Sequence, residues 1–472
     1  MSLPHRIYVI HDVLATIFEI LEDDRVSLYC CSLVCHEFAS AASRVLYRRV
    51  TWSPVPQSTL DLRRKNEFAD GILYAACLPH NADKVLHLEI SGYLPPRPAS
   101  LGTFATHLPT AIRLWRNLNT IVLAPKQYHK DVFIGVFPLL RSCAFLRSLT
   151  INASCITDDY APVVATVEDL ECLSILNPTR AILQLLPDWL GILSRTLRRL
   201  SLRDNCGSVT PGVLRSCVPH LTQIQALALG LSYSLGNDDV FAFVQGLPNL
   251  KDLDLRYYLL TCPFVAQQFR TPSIAPRLHH LRTLVVRHNT VDTVEDVAYL
   301  CKWIRRIVTH ARLAEIRLIC EEENSGASVK FDGLLAHLSQ IHAQTLRVVR
   351  LDAAFVGMAA LRALCATCVE LEELAVAISG NAVTELPEIL SSLGELRTLR
   401  VEARNVERGH RLMSKEKVAE FMVRGPPQLR RLSVYGKIWQ GRWVCDDKHE
   451  TAFVAEEAEK WQVRSWEQGY NP

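Results

Sequence analysis

A six-residue phrase recurs thirteen times along this 472-residue chain: apolar, two variable residues, apolar, one variable residue, apolar. Leu146-Arg-Ser-Leu149-Thr-Ile151, Leu170-Glu-Cys-Leu173-Ser-Ile175 and Leu197-Arg-Arg-Leu200-Ser-Leu202 are successive copies. The copies open at Val85, Leu118, Leu146, Leu170, Leu197, Ile224, Leu250, Leu281, Leu313, Leu346, Leu371, Leu396 and Leu429, spaced by 24 to 33 residues. Offsets three and five are always Leu, Ile or Val. Apolar residues two apart lie on one face of an extended strand. A fixed phrase at long period means stacked units, since no single unit can bury its apolar face alone.

Between the phrases lie stretches with helical spacing. Thr210-Pro211 reads as a capping hydroxyl followed by proline at the first helical position, where a missing N–H costs nothing. Asn237-Asp-Asp begins another helix with a cap and with acids that suit the helix dipole. Asp292 to His310, Lys330 to Ala343 and Lys415 to Arg424 also show helical apolar periodicity. The phrase resembles the strand signature of the leucine-rich repeat, LxxLxL, over most of residues 85–436. That resemblance implies an α/β solenoid with parallel strands on a concave face and helices on the convex side. Right-handed crossovers follow from strand and helix chirality.

Hydrophobic residues make up 49% of the chain, enough for an extensive core, and the net charge is only +3. With no long basic stripe, nucleic acid and anionic membrane are not expected as main partners. No run of about 18 uninterrupted apolar residues occurs, so no membrane span is expected. His11, Asp12 and Glu19 interrupt the apolar run Ile7 to Leu21, and no small-residue cleavage site follows, so the run reads as structure. Fifteen cysteines sit inside strand and helix patterns, Cys172 and Cys301 among them. They read as reduced, buried thiols of a cytoplasmic or nuclear protein.

The residues before the repeats differ in character. Leu14, Ile17, Phe18 and Leu21 share one helix face; Leu28, Cys31, Cys35 and Phe38 form a second helical pattern after the polar break Glu22-Asp-Asp-Arg25. A third short stretch, Ala39 to Tyr47, ends before Pro54 and Pro56, which mark the exit to the next element. Three short helices bury little apolar surface by themselves, so help from a partner is expected.

Val13-Leu-Ala-Thr-Ile17-Phe18-Glu-Ile-Leu21, Cys31-Ser-Leu-Val-Cys35-His-Glu-Phe38 and Arg44-Val-Leu-Tyr47-Arg-Arg-Val50 together resemble an F-box of the form common in fungal proteins, over residues 9–50. The resemblance implies docking on the Skp-family adaptor of a cullin-based ubiquitin ligase. Leu14, Ile17, Leu21, Leu33, Val34, Cys35 and Phe38 would supply the adaptor contacts or the core of the motif. The chain departs from the pattern twice: Val9-Ile10 stands where the motif has Leu-Pro, and Phe38 where it has Trp. The alternative is that these helices cap the first edge of the repeat array.

Offsets two, four and six of each phrase should face away from the core. Arg256 and Arg287, and likewise Arg317 and Arg350, should therefore be neighbours. Arg203 and Arg199 stand two repeats earlier, beyond the small residues Ala226, Ala228 and Gly230. Guanidinium groups there suit carboxylates or phosphates. Arg203, Arg256, Arg287, Arg317 and Arg350 are candidate contacts to an acidic or phosphorylated protein substrate. The alternative is a solvated face in which arginines pair with Asp252, Asp254, Glu315 and Asp352.

Other signals point to structure. Cys365-Ala-Thr-Cys368 has no second pair to complete a zinc site and ends a repeat helix. His279-His280, and His337 with His342, lack ligands at metal spacing, and Glu321-Glu-Glu-Asn324 reads as a solvated loop. No phosphate loop, GxSxG or HExxH occurs. No cofactor, metal or catalytic residue is therefore expected. The loop 92–99 reads as an exposed proline-rich insertion. Residues 437–472, with Trp439, Trp443, Trp461 and Trp466, read as a terminal cap containing a helix from Glu450 to Gln462. The expected organisation is an F-box-like module at 9–50, a linker and N-cap at 51–84, the solenoid at 85–436 and a cap or tail at 437–472. The chain then reads as a non-catalytic substrate-recognition subunit of an SCF-type ligase, linked to a cullin through the adaptor. The alternative is a leucine-rich-repeat interaction scaffold with no ligase role.

Overall fold

The computed structural model describes residues 4–53, 71, 73–94, 104–127, 130–257, 275–289, 291, 293–321, 329–405, 413–445 and 451–458. Three helices come first: α1 (Pro4–Ile20), α2 (Arg25–Ser32) and α3 (His36–Leu46). The strands follow as β1 (Arg49–Trp52), β2 (His87–Tyr93), β3 (Thr120–Gln127), β4 (Ser148–Asn152), β5 (Cys172–Leu176) and β6 (Arg199–Asn205). Next come β7 (Ala226–Leu231), β8 (Asp252–Tyr257), β9 (Thr283–His288), β10 (Glu315–Cys320) and β11 (Val348–Phe355). The last are β12 (Glu373–Ser379), β13 (Thr398–Arg404), β14 (Arg431–Val434), β15 (Lys437–Cys445) and β16 (Thr451–Glu457). The chain forms two compact units, one of residues 1–224 and 232–235, the other of residues 225–231 and 236–472.

Each strand from β2 to β14 begins two residues after the opening of its phrase. In every described parallel pairing, that second-offset residue lies opposite its counterpart: His87 opposite Thr120, Cys172 opposite Arg199, Asp252 opposite Thr283. The inward positions are almost wholly buried, Leu149, Leu173 and Leu374 at 0–1% exposure among them. This is the leucine-rich-repeat solenoid that the phrase predicts.

Beyond the expected strands, β1 pairs in parallel with β2, Arg49 opposite His87. Its inward residues Val50 and Trp52 are buried, and Tyr47 stands where the other phrases open with an aliphatic residue. The sheet thus begins within the boundary drawn at residue 50. The second helical pattern, Leu28 to Phe38, is divided between α2 and α3. Leu33 closes α2, and Cys35 precedes α3 in extended backbone (φ −159°, ψ 175°).

The repeat helices follow their caps. Thr210 accepts a hydrogen bond from the Val213 amide at 3.4 Å, ahead of helix Pro211–Cys217. Thr293 and Ser414 cap Val294–Val308 and Lys415–Arg424 in the same way. At Asn237–Gln245 the cap is Gly236 rather than Asn237, and the Asp239 carboxylate accepts from the Gly236 amide at 3.0 Å. In the helix layer Trp115 and Trp189 donate their indole N–H to the carbonyls of Ala76 (3.1 Å) and Val167 (2.9 Å).

The parallel run ends at Tyr435-Gly436, both with positive φ (51° and 73°), a two-residue turn that sends β15 back antiparallel to β14. Residues 451–457 form strand β16 rather than the predicted helix. Pairing with β15 overrides the helical spacing: Gly441 lies opposite Ala455, and the Phe453 ring fills the space where a Gly441 side chain would stand. Trp439 is buried, whereas Trp443 is exposed and packs edge-on to Phe453. Pro54, Pro56, most of the loop 92–99, residues 322–324, Trp461 and Trp466 lie outside the described residues.

Candidate protein-interaction site

The three-helix module has a small core of its own. Phe18, Leu28, Ala41, Ala42 and Val45 are buried, with Leu14, Leu21, Cys31, Phe38 and Leu46 packed around them. The rings of Phe18 and Phe38 meet edge-to-face at 5.6 Å. Asp24 caps α2, accepting from the Ser27 amide at 3.0 Å and its hydroxyl at 2.6 Å.

The seven residues expected to serve an adaptor divide into two sets. Leu14, Leu21 and Phe38 build the core of the module. Ile17 (46% exposed), Leu33 (69%), Val34 (66%) and Cys35 face outward. More apolar residues join these on the surface. Val13 and Ile20 share the outward face of α1 with Ile17, while Val26 and Tyr29 lie with Leu33 on that of α2. Scattered apolar residues are ordinary on a surface, whereas here they gather into two apolar stripes on a small module. The spacing of Val13, Ile17 and Ile20 could have revealed the first stripe; it was masked by the core stripe beside it.

On the open strand face of the second unit, the four arginines expected there stand in the expected register. Arg256 lies opposite Arg287, and Arg317 opposite Arg350. Each is held by a carboxylate. Arg287 makes a bidentate pair with Asp254 at 3.1 Å, and Arg350 pairs with Glu373 at 2.6 and 2.8 Å. Arg256 pairs with Glu321, and the nearly buried Arg317 with Glu315 on its own strand. The acidic partners named from the sequence were right for Asp254 and Glu315, while Glu321 and Glu373 were missed. Those partners sit on diagonal positions or beyond the strand, which the phrase alone does not reveal. A ligand carboxylate arriving here must displace one already bonded.

Arg203 stands apart from these four, on β6 of the first unit, where the open face is otherwise mild in character. Thr120, Val122 and Ala124 on β3, Ser148 and Thr150 on β4, and Cys172, Ser174 and Leu176 on β5 carry no charge. At its start stands a compact ionic group on β1 and β2. His87, whose Nε2 is 3.8 Å from the Glu89 carboxylate, Arg49, and Ser91 donating at 3.1 Å hold the Glu89 carboxyl down to about 2. At the far ends of the strands runs a chain of asparagines. Asn152 donates to the Pro125 carbonyl at 3.0 Å, Asn177 to Asn152 Oδ1 at 3.4 Å, and the Asn205 amide to Asn177 Oδ1 at 3.3 Å.

Cys365 lies in helix Met358–Thr367 with Cys368 just past its end, both fully buried, and burial pushes the Cys365 thiol up to about 12. A thiol so held is a poor nucleophile. His337 and His342 meet edge-on at 5.7 Å, and burial together with His337 pulls His342 down to about 4. Among the described residues no group of three or more His, Cys, Asp or Glu is placed to hold a metal ion, and no helix is long and apolar enough to cross a membrane.

No protein-family model and no curated protein matches the sequence. Among solved structures, the chain is similar to one in the crystal structure of the Rad7 and Elc1 complex in yeast. Identity is 12% over 79% of this chain and 91% of that one, with a TM-score of 0.40. It is also similar to a chain of the TLR13–ssRNA13 complex, at 14% identity over 74% of this chain and 56% of that one, with a TM-score of 0.32. At such scores the assignment of fold rests on the strands, register and buried phrase positions themselves.

Proposed function

We propose that this protein is a non-catalytic substrate-recognition subunit of an SCF-type ubiquitin ligase. Its three-helix module docks a Skp-family adaptor, and through it a cullin, while the strand faces hold a protein substrate. One observation carries the reading: a module that resembles an F-box leaves Val13, Ile17, Ile20, Val26, Tyr29, Leu33 and Val34 exposed although it has a core of its own. Covering such side chains stabilises a complex by roughly 25 cal/mol per Å² of apolar area, before the cost of association. The chain contributes position rather than chemistry, holding lysines of a bound protein near a conjugating enzyme.

The test is co-purification of the full chain with the Skp-family adaptor of its host. Ile17→Asp with Leu33→Asp is the informative variant, because both side chains already face solvent and the core is left intact. Capture by the wild type and loss in the variant, with unchanged thermal unfolding, is the expected result. Failure of the folded wild type to capture any adaptor would leave an interaction scaffold without a ligase role.

A further inference from the structure

A cavity with a strongly charged lining lies within the first unit, between the three-helix module and the turns that lead into β2 and β3. It holds about 450 Å³ and is lined by Glu19 of α1, Arg44 of α3, Arg48, Asp83 and Lys84, with Ala15, Val45 and Leu86 as apolar wall. Its charges are not matched to one another. Lys84 is half-buried and donates to the Ser43 hydroxyl at 2.6 Å, yet no carboxylate lies within ion-pair distance of it among the described residues. Burial therefore lowers its pKa, the mark of an ammonium that lacks a compensating anion. Arg44 likewise has no ion-pair partner among the described residues. Arg48 meets Glu19 at 3.7 Å with both groups about half exposed, a contact worth little. Three cations thus line one cleft that holds a single loose ion pair.

Asp83 adds selectivity. Asp83 lines the same cleft and is exposed; its main-chain carbonyl accepts from Asn117 at 2.7 Å, and its carboxylate has no hydrogen-bond partner among the described residues. A carboxylate beside three cations repels a fully deprotonated oxyanion but accepts a hydrogen bond from one that keeps a proton. Inorganic phosphate keeps such a proton in part near neutral pH and its monoesters, with a second pKa of about 6, only in a minor fraction, whereas sulfate keeps none. We propose that this cleft is a binding site for a protonated phosphate group, with Arg44, Arg48 and Lys84 supplying charge-assisted donors and Asp83 accepting from the P–OH. Arg44 and Arg48 belong to the helical module and Lys84 to the repeats, so the bound group ties the two together. The site is separate from the apolar stripes of α1 and α2 and does not depend on their partner.

Calorimetric titration and thermal unfolding of the full chain, with inorganic phosphate and with sulfate at matched ionic strength, test the proposal. Phosphate is expected to bind with a stoichiometry of one and to raise the unfolding temperature, and sulfate to bind at least tenfold more weakly. Arg44→Gln is expected to weaken phosphate binding at least tenfold. Because Arg44 is exposed, the unliganded unfolding temperature should stay unchanged. Asp83→Asn should narrow the gap between phosphate and sulfate. Glycerol 3-phosphate separates the sources: binding tighter than inorganic phosphate points to an ester, weaker binding to the free ion. Equal response to phosphate and sulfate, no response to either, or phosphate binding unchanged in Arg44→Gln would overturn the proposal.

Discussion

The first unit joins the ends of its strands through a chain of asparagines and gathers its face charges on β1, β2 and β6, whereas β8 to β12 of the second carry carboxylates and guanidiniums that pair across their face. Both units use the same phrase and the same register, so the backbone does not explain the difference. Asn152 is 94% shielded, and its amide bonds the Pro125 carbonyl and the Ser154 amide, so it acts where water is largely excluded. The Arg287–Asp254 pair keeps Arg287 about one-third exposed and competes with solvent for its own energy. Satisfying buried backbone groups stabilises a solenoid more than pairing charges on its face.

The largest effects should be equal in the two units, because they come from the shared phrase. Leu173→Ala in the first and Leu374→Ala in the second should each cost about 2–5 kcal/mol in urea unfolding. A cost confined to one unit would mean that the phrase is not the common source of stability. Acid should separate the units next. His342 is held near 4, below the ordinary value of 6.5, so the unfolded chain takes up its proton first. The stability it contributes is complete above about 6.5 and is lost as the pH falls toward 4. Between pH 7 and 5 the loss should be about 2 kcal/mol, and His342→Leu should abolish it. Glu89, held near 2, gives stability that is complete above 4.5 and lost only as the pH falls from there toward 2. The second unit should therefore weaken first in an acid series followed by unit-specific proteolysis.

Asn152→Ala should cost about 1–3 kcal/mol, since the Pro125 carbonyl loses a buried partner and the Ser154 amide a part-buried one. Arg287→Ala should cost less than about 1 kcal/mol, an effect further reduced at high salt. The comparison fails if the arginine variant proves the more damaging of these two in paired unfolding curves.

The sequence made the thirteen phrase strands legible because Leu, Ile and Val at two offsets answer directly to burial. It did not reveal β1, whose phrase uses Tyr47, Val50 and Trp52 in place of three aliphatics. It pointed to a helix from Glu450 to Gln462 because the local spacing is helical, and over Thr451–Glu457 a partner strand overrides such spacing. Neighbouring arginines followed from register alone, but the carboxylates that hold them did not: Asp254 reaches Arg287 from two positions back on the adjacent strand. In the module, helix spacing identified Leu14 and Leu21 without deciding between core and contact. That choice depended on how α3 packs, which brought Phe38 inward and left Ile17, Leu33 and Val34 outside.

The constancy of the register reaches beyond stability. Leu346, Leu371 and Leu396 open phrases 25 residues apart; β12 and β13 align residue for residue, and β11 aligns with β12 over its first four residues, before a bulge between Leu351 and Phe355. Removing one whole period at this point would bring Val348 opposite Thr398 and leave every later pairing in phase. Backbone geometry therefore sets no length for the array. Units can be lost or duplicated without disturbing their neighbours, so the number of repeats can change in evolution while the surface of each is tuned separately.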